Sequence, residues 1–206
     1  MVTPVSQSAV TGTGTSGDPY KVVTVVTAGA KLRLTQTDTY TTGNDWWTTN
    51  VAVKNLTSSA LATSIYRGMD CFLGGSDSGF GFLDAASGGA GCSANANNSP
   101  VGLVEALVPA PGHVVRYYQA AYSAVWTAIG AKGNLANTCV CATSIDNGVA
   151  VQWALSLTSQ QTQVVSFNTV FDPAGSIPAP PPGLVPPSPT TIPTVDTTTS
   201  AARRRR

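Results

Sequence analysis

Short segments in which apolar and polar residues alternate recur along most of the chain. Leu32–Tyr40 alternates over much of its length, and in Trp46–Lys54 the side chains of Trp47, Thr49 and Val53 share one face. A period of two residues is typical of a half-buried β-strand. The same pattern, with β-branched and aromatic residues, predicts further strands at Tyr20–Thr27, Ala60–Tyr66, Val101–Val108, His113–Gln119, Val149–Leu157 and Gln163–Phe171.

The spacing of these segments predicts the fold class. We expect roughly nine to eleven strands and no amphipathic helix, although the alanines of Ala120–Ile129 fit either a strand or one short helix. Repeated glycines between Gly68 and Gly91 predict mostly loop. Asn147-Gly148 predicts a turn, followed by Val149–Leu157 and Gln163–Phe171 as a closing pair of strands. Together these features favour an all-β, two-sheet antiparallel β-sandwich with long Gly-rich loops.

Composition divides the chain into three parts: a lead-in over residues 1–14, a β-sandwich domain over 15–172 and a Pro/Thr-rich stalk over 173–206. Nine of the 14 prolines lie between Pro173 and Pro193. Proline favours extended polyproline II, so we expect this tail to be extended and unpacked. A folded body on a stiff stalk is typical of an exported surface protein.

Charge is scarce and the two signs are unequally placed. Only 10% of residues are charged, and seven basic and nine acidic side chains precede Pro173. This distribution leaves no basic face for specific nucleic-acid binding. We expect the terminal Arg203–Arg206 to associate with polyanions through salt-sensitive contacts.

Four cysteines, at positions 71, 92, 139 and 141, predict disulfides rather than a zinc site, because they lack paired C-x2-C spacing. We favour Cys71–Cys92 and Cys139–Cys141, with crossed pairings remaining as alternatives. Disulfides imply an oxidising compartment, so we expect an extracellular or cell-surface location. Residues 1–10 lack a signal-peptide pattern and no apolar run could span a membrane; we therefore expect a piece of a longer exported protein.

Three carboxylates recur at a seven-residue interval in the Gly-rich stretch: Asp70, Asp77 and Asp84. Calcium takes several oxygen ligands from carboxylates and carbonyls, which makes these residues weak candidates for a calcium site. The alternative, which we favour, is that they cap turns by bonding their own backbone. We accordingly expect no cofactor.

Aromatic residues are the main candidates for ligand binding. Exposed rings can stack on the apolar C–H faces of sugars, and adjacent aromatic residues in a strand face opposite sides, so one of each pair needs an explanation outside the core. The candidates are Trp46, Trp47, Tyr117, Tyr118 and Trp126. Core or loop packing remains the alternative.

Catalytic residues are few. The chain has one glutamate, Glu105, and one histidine, His113, with nothing in the sequence to bring them together. A sugar epimerase or mutarotase would need such a base and acid in one pocket. We expect no catalytic site. Glu105, a carboxylate on a predicted strand, and His113, in a predicted turn, are instead expected to have structural roles.

Four stretches carry a resemblance to known proteins: Asp18–Val26, Leu32–Tyr40, Arg67–Gly81 and Asn137–Cys141. Together they resemble exported β-sandwich domains of bacterial cell-surface proteins, a largely uncharacterised family. The resemblance implies a sandwich fold beside Pro/Thr-rich segments and supplies no catalytic residues.

These observations predict a non-enzymatic exported surface module, adhesive or structural, with a glycan or cell-wall polymer as its partner. Two alternatives stay open: a sugar-active enzyme using Glu105 and His113, and a purely structural spacer in which the candidate aromatic rings are buried.

Overall fold

Extended backbone accounts for most of the protein. The computed structural model describes residues 2–96, 102–112 and 115–183. Within them lie eleven strands and one helix: β1 (Val2–Gln7), β2 (Tyr20–Ala28), β3 (Leu32–Tyr40), β4 (Trp46–Asn55), β5 (Leu61–Asp70), β6 (Ser78–Asp84), β7 (Gly89–Ser93), β8 (Val104–Pro109), β9 (Val115–Ala121), α1 (Tyr122–Gly130), β10 (Ile145–Leu157) and β11 (Thr162–Asp172). The predicted all-β class is confirmed.

All strand ladders are antiparallel and form one hydrogen-bonded path. An eight-strand segment has the order β1-β2-β3-β4-β11-β8-β7-β6. In a three-strand segment β5 and β9 flank β10. Among the described residues, the ladder that joins the two segments is short: Ile145 pairs with Gly79 and Asp146 with Ser78.

The core lies between the two segments, because β10 packs across one face of the eight-strand segment, here called its inner face. Alternate β10 residues from Val149 to Leu157 are buried in one cluster with Val51 and Val53 of β4 and Phe167 of β11. The Trp153 and Phe167 rings lie 5.4 Å apart between centroids. Successive side chains of a strand point to opposite faces, so a strand that buries one face carries an apolar residue at every second position.

Two predictions about the last strands were wrong. Asn147-Gly148 is not a turn but lies within β10, where a Cβ on Gly148 would come within 2.9 Å of the Met69 carbonyl oxygen. Glycine is needed there for close backbone approach rather than for turning. Also, β10 and β11 do not pair with each other; they belong to different segments and meet face to face.

The Gly-rich stretch is also more regular than predicted, since it contains β6 and β7. A Cβ on Gly81 would collide with the Gln119 side chain, and one on Gly91 with the Glu105 carbonyl and the Phe82 ring. These glycines let neighbouring groups approach the strands closely. Composition alone does not distinguish that role from a loop.

The lead-in contributes β1 to the edge of the sheet, a strand that was not predicted. All six of its residues are exposed. It is held by backbone pairing with β2, from Val2 opposite Ala28 to Gln7 opposite Thr24. A strand that is exposed on both faces shows no apolar alternation, so its pattern gives no signal.

The start of the tail packs against the body, which contradicts the predicted unpacked stalk for residues 173–183. Ile177 contacts a second apolar cluster on the outer face of the eight-strand segment, built from Phe82, Val104, Ala106, Val108 and Val170. The Asn168 side-chain amide donates a hydrogen bond to the Ala179 carbonyl at 3.1 Å. By covering this cluster, the start of the tail removes apolar surface from water. Residues 184–206, including Arg203–Arg206, lie outside the described residues.

The ambiguous segment forms helix α1, which covers the side of the three-strand segment that faces away from the core. Val125 is buried there against Ala120, Leu135 and Ala150. Among the described residues no helix is long and apolar enough to cross a membrane.

Because Phe167 joins the two segments, we expect Phe167→Ala to lower the free energy of unfolding by about 3–5 kcal/mol through lost burial and a residual cavity. Val5→Ala, at an exposed position of β1, is the control and should cost less than about 1 kcal/mol. Chemical denaturation measures both. Equal losses would contradict this account of the core.

Candidate functional site

Part of the inner face has no cover. The core cluster draws only on Ala28 from β2 and on Leu32 and Leu34 from β3, all at one end of the β2–β3 hairpin. Toward the other end the inner-face positions, from Val22 to Tyr40, are partly or fully exposed. Three strands cannot cover eight, so this corner of the sheet faces solvent.

Four aromatic side chains, here called the aromatic row, cross this uncovered corner: Tyr20, Tyr40, Trp47 and Phe171. Tyr20 pairs with Tyr40 in the β2–β3 ladder. The β3–β4 ladder, which ends at Thr39 opposite Thr48, brings Trp47 beside Tyr40. Trp47 then pairs with Thr169, and Phe171 follows two residues later on the same face. At about 4.8 Å per strand the row spans roughly 15 Å, the length of about three sugar rings.

The rings of the row are accessible and mutually supported. Tyr20, Tyr40 and Phe171 are 40%, 39% and 42% exposed, and Trp47 is half-buried. The Trp47 and Phe171 rings stack, with centroids 5.5 Å apart and planes 14° from parallel. Large exposed apolar side chains in a contiguous patch typically mark an interaction site.

Local sequence places the row at strand ends. Tyr20 opens β2 directly after the Asp18-Pro19 turn, and Tyr40 and Trp47 flank the β3–β4 turn, whose Gly43 adopts a φ of 91°. That positive φ suits glycine and tightens the turn. The aromatic residues therefore meet at the same end of neighbouring strands.

Polar groups border the aromatic row. The Asp38 carboxylate accepts hydrogen bonds from the Thr49 hydroxyl at 2.6 Å and the Gln36 amide at 2.8 Å. With Tyr20, Tyr40 and Trp47 it lines an open pocket of about 390 Å³. The pocket lining is Val10, Tyr20, Lys21, Val22, Asp38, Thr39, Tyr40 and Trp47. A flat apolar floor with fixed polar groups at its side is the usual composition of a small-ligand site.

Adjacent aromatic residues do face opposite sides, as predicted. Trp46 packs against the outer-face cluster with Ile177, whereas Trp47 lies in the aromatic row. Tyr117 packs against the core, and Tyr118 packs against the cluster beneath α1. Trp126 is 45% exposed on α1. Of the five predicted aromatic candidates, only Trp47 joins the row.

Sequence reasoning missed Tyr20, Tyr40 and Phe171. Each lies at or near a strand end, where alternation gives no information about burial. The available signal was register: a β2–β3 hairpin closed by the three-residue loop Gly29-Ala30-Lys31 places Tyr20 opposite Tyr40.

The three candidate calcium ligands do not form one cluster, because Asp84 lies apart from Asp70 and Asp77. Asp84 ends β6 and accepts hydrogen bonds from the Ser87 amide and hydroxyl, whereas Asp77 precedes the start of β6. About seven residues of strand, on the order of 20 Å, separate them. Asp84 caps a turn, as the favoured alternative proposed. No group of three or more His, Cys, Asp or Glu side chains within the described residues is arranged to hold a metal ion.

Glu105 is a buried carboxyl group beside the Cys71–Cys92 disulfide. It accepts a hydrogen bond from the Phe72 amide at 3.2 Å. Burial, with a further contribution from the nearby Asp70 charge, raises its pKa from 4.5 to about 7. Burial, together with Asp146 and Asp77, likewise raises the pKa of Asp70. His113, its predicted catalytic companion, lies outside the described residues.

The disulfides follow the pairing that the sequence favoured. Cys71 is joined to Cys92, with Cα atoms 6.4 Å apart, and Cys139 to Cys141, with Cα atoms 5.3 Å apart. The first ties the end of β5 to β7 and so fixes the three-strand segment over the inner face.

Comparison with known proteins adds no identification. No model of a protein family matches the sequence, and no curated protein matches it. The functional argument therefore rests on the site itself.

Glu105 makes stability depend on pH. Because the pKa is higher in the folded than in the unfolded state, its contribution to stability is fully present below about pH 4.5 and is lost as pH rises to about 7. We expect Glu105→Gln to raise the free energy of unfolding at pH 8 by roughly 2–3 kcal/mol and to change it little at pH 4. Denaturation at several pH values measures this.

Asp45→Asn, at an exposed carboxylate, serves as the control and should leave the pH profile unchanged. A Glu105→Gln protein less stable than wild type at pH 8 would mean that the ionised carboxylate makes net favourable contacts.

Proposed function

We propose that this protein is a non-enzymatic, exported surface module that binds a glycan on the aromatic row. The observation that carries the proposal is the exposure of four aromatic rings in register across adjacent strands, on a face that is covered elsewhere. A folded protein would ordinarily bury such rings.

The chemistry of the row suits a sugar chain. Pyranose rings present flat C–H faces that stack on Tyr and Trp, and their hydroxyls need acceptors and donors at the side of the stack. Asp38, Gln36 and Thr49 supply a preorganised hydrogen-bonded group there. The row is long and narrow, which favours a linear chain over a broad protein surface.

The rival functions have less support. A purely structural spacer would bury Trp46, Trp47, Tyr117 and Tyr118, and each of the four remains partly exposed. For a sugar-active enzyme, Glu105 is buried, and one of its oxygens is engaged by the Phe72 amide. At 6% exposed, the Glu105 carboxyl group has little access to a sugar, so its raised pKa does not by itself support a role as general base.

The remaining parts of the proposal concern fold and location. We infer a two-sheet β-sandwich, with the three-strand segment as the second layer over the eight-strand one. Two disulfides support an extracellular location. The resemblance to exported domains of bacterial cell-surface proteins supports a cell-wall polymer as the natural glycan.

If the row binds glycan, Tyr40→Ala should weaken binding of a neutral β-1,4-linked hexasaccharide of glucose or N-acetylglucosamine by about tenfold or more, since anchoring aromatic rings dominate such interfaces. Isothermal titration calorimetry on the full chain, after a glycan array selects the sugar, measures the dissociation constant.

Tyr122→Ala is a matched control, because Tyr122 is as exposed as Tyr40, 40% against 39%, but lies on α1. It should leave affinity unchanged. Loss of binding in Tyr122→Ala and not in Tyr40→Ala would move the site to α1 and refute the row.

A further inference from the structure

Arg67 is a charged residue on the core side of β5 whose guanidinium has no ionic or hydrogen-bonding partner among the described residues. It pairs with Val151 in the β5–β10 ladder and therefore shares the inward-facing side of that strand with Ile65 and Met69. Its guanidinium lies over the Phe167 ring, 5.8 Å from the centroid. Within the described part of the chain it makes no ion pair or hydrogen bond, and its Nε is buried without a partner.

The exposed part of the Arg67 side chain indicates the direction from which a ligand could reach it. Its Nε is buried, but the residue as a whole is only half-buried, so part of the side chain reaches solvent. β10 closes one side of β5, and among the described strands no other pairs with the second side of β5. Leu61 and Ile65 of β5 pack on the same core cluster as Leu34 of β3. The uncovered corner that carries the aromatic row begins there.

The register places Arg67 level with the polar border of the row. Phe167, beneath the guanidinium, pairs with Thr49, and Thr49 pairs with Asp38. No ion pair joins Asp38 to Arg67 in the described part of the chain, and the Asp38 carboxylate accepts hydrogen bonds from Thr49 and Gln36. A half-buried cation left in this state is unfavourable unless an anion or hydrogen-bond acceptors complete it.

Charged groups are unevenly placed around the row. Lys21 pairs with Thr39, so its side chain lies on the outer face and adds no positive charge to the row. Glu105 lies opposite Phe171 in the β11–β8 ladder, and burial together with the charges of Asp146 and Asp77 raises the pKa of Asp70. An anionic ligand group would therefore be favoured near Arg67 and disfavoured near Glu105.

We propose that Arg67 binds the carboxylate of an acidic sugar, so that the ligand of the aromatic row is a uronic-acid-containing polysaccharide; this rests on the proposed glycan-binding function. A planar guanidinium stacked on an aromatic ring presents its remaining N–H groups in a fork that matches a carboxylate.

The test compares two hexasaccharides that differ only at C6: a β-1,4-linked glucose hexamer and its C6-carboxylate form, a glucuronic acid hexamer. We expect the wild-type protein to bind the acidic hexamer at least tenfold more tightly at low salt, and the preference to shrink as salt rises. Arg67→Gln should remove the preference while leaving the affinity for the neutral hexamer unchanged.

Arg33→Gln is the matched control, since it removes the same charge from an exposed position on the outer face of β3. It should retain the full preference. If Arg67→Gln does not fold, Arg67→Lys replaces it: the lysine keeps the charge but not the fork, and we expect part of the preference to be lost.

The outcomes separate this inference from the function on which it rests. Binding of the neutral hexamer with an acidic preference that survives Arg67→Gln, or with no acidic preference at all, overturns the role of Arg67 and leaves the row intact. Failure of the wild-type protein to bind either hexamer counts against the proposed function. Loss of preference in Arg33→Gln would mean that overall charge, and not Arg67, selects the ligand.

Discussion

The packing of β10 across the inner face of the eight-strand segment is the contact on which the rest of the structure depends. Trp153 and Phe167 meet at its centre, and the Cys71–Cys92 disulfide ties the neighbouring β5 to the far side of the same face. Three strands bury the middle of that face and leave the β2–β3 corner open. The aromatic row is exposed because of this unequal coverage, and the free edge of β5 brings Arg67 to its border.

The outer face of the eight-strand segment also carries apolar surface, which is covered in a different way. There the apolar cluster around Phe82 and Val170 is covered by the start of the tail, through Ile177. The chain therefore covers its apolar surface with tail residues on one side and leaves aromatic surface open on the other. Because tail residues cover apolar surface on the outer face, the exposure of the aromatic row on the inner face favours a role in binding.

Sequence pattern was informative where one face of a strand is buried and the other is not. It located β3 and β4 closely, together with the class of fold. It failed for β1, which is exposed on both faces, and for β6 and β7, whose glycines admit neighbouring groups and look like loop residues. At the site, adjacency alone identified the Trp46 and Trp47 split. Tyr20, Tyr40 and Phe171 come together only through strand register, which joins segments that are far apart in the sequence. The surroundings of Arg67 likewise depend on tertiary packing.

The central claim is that the open corner of the inner face, and no other surface, receives the ligand. Backbone amide chemical shifts of isotope-labelled protein, followed by NMR during titration with an oligosaccharide selected by glycan array, test it most directly. The account predicts that the largest shifts cluster at Tyr20, Tyr40, Trp47 and Phe171, with little change in α1. Shifts concentrated around Tyr122 and Trp126, with the β2–β3 hairpin unmoved, would contradict it.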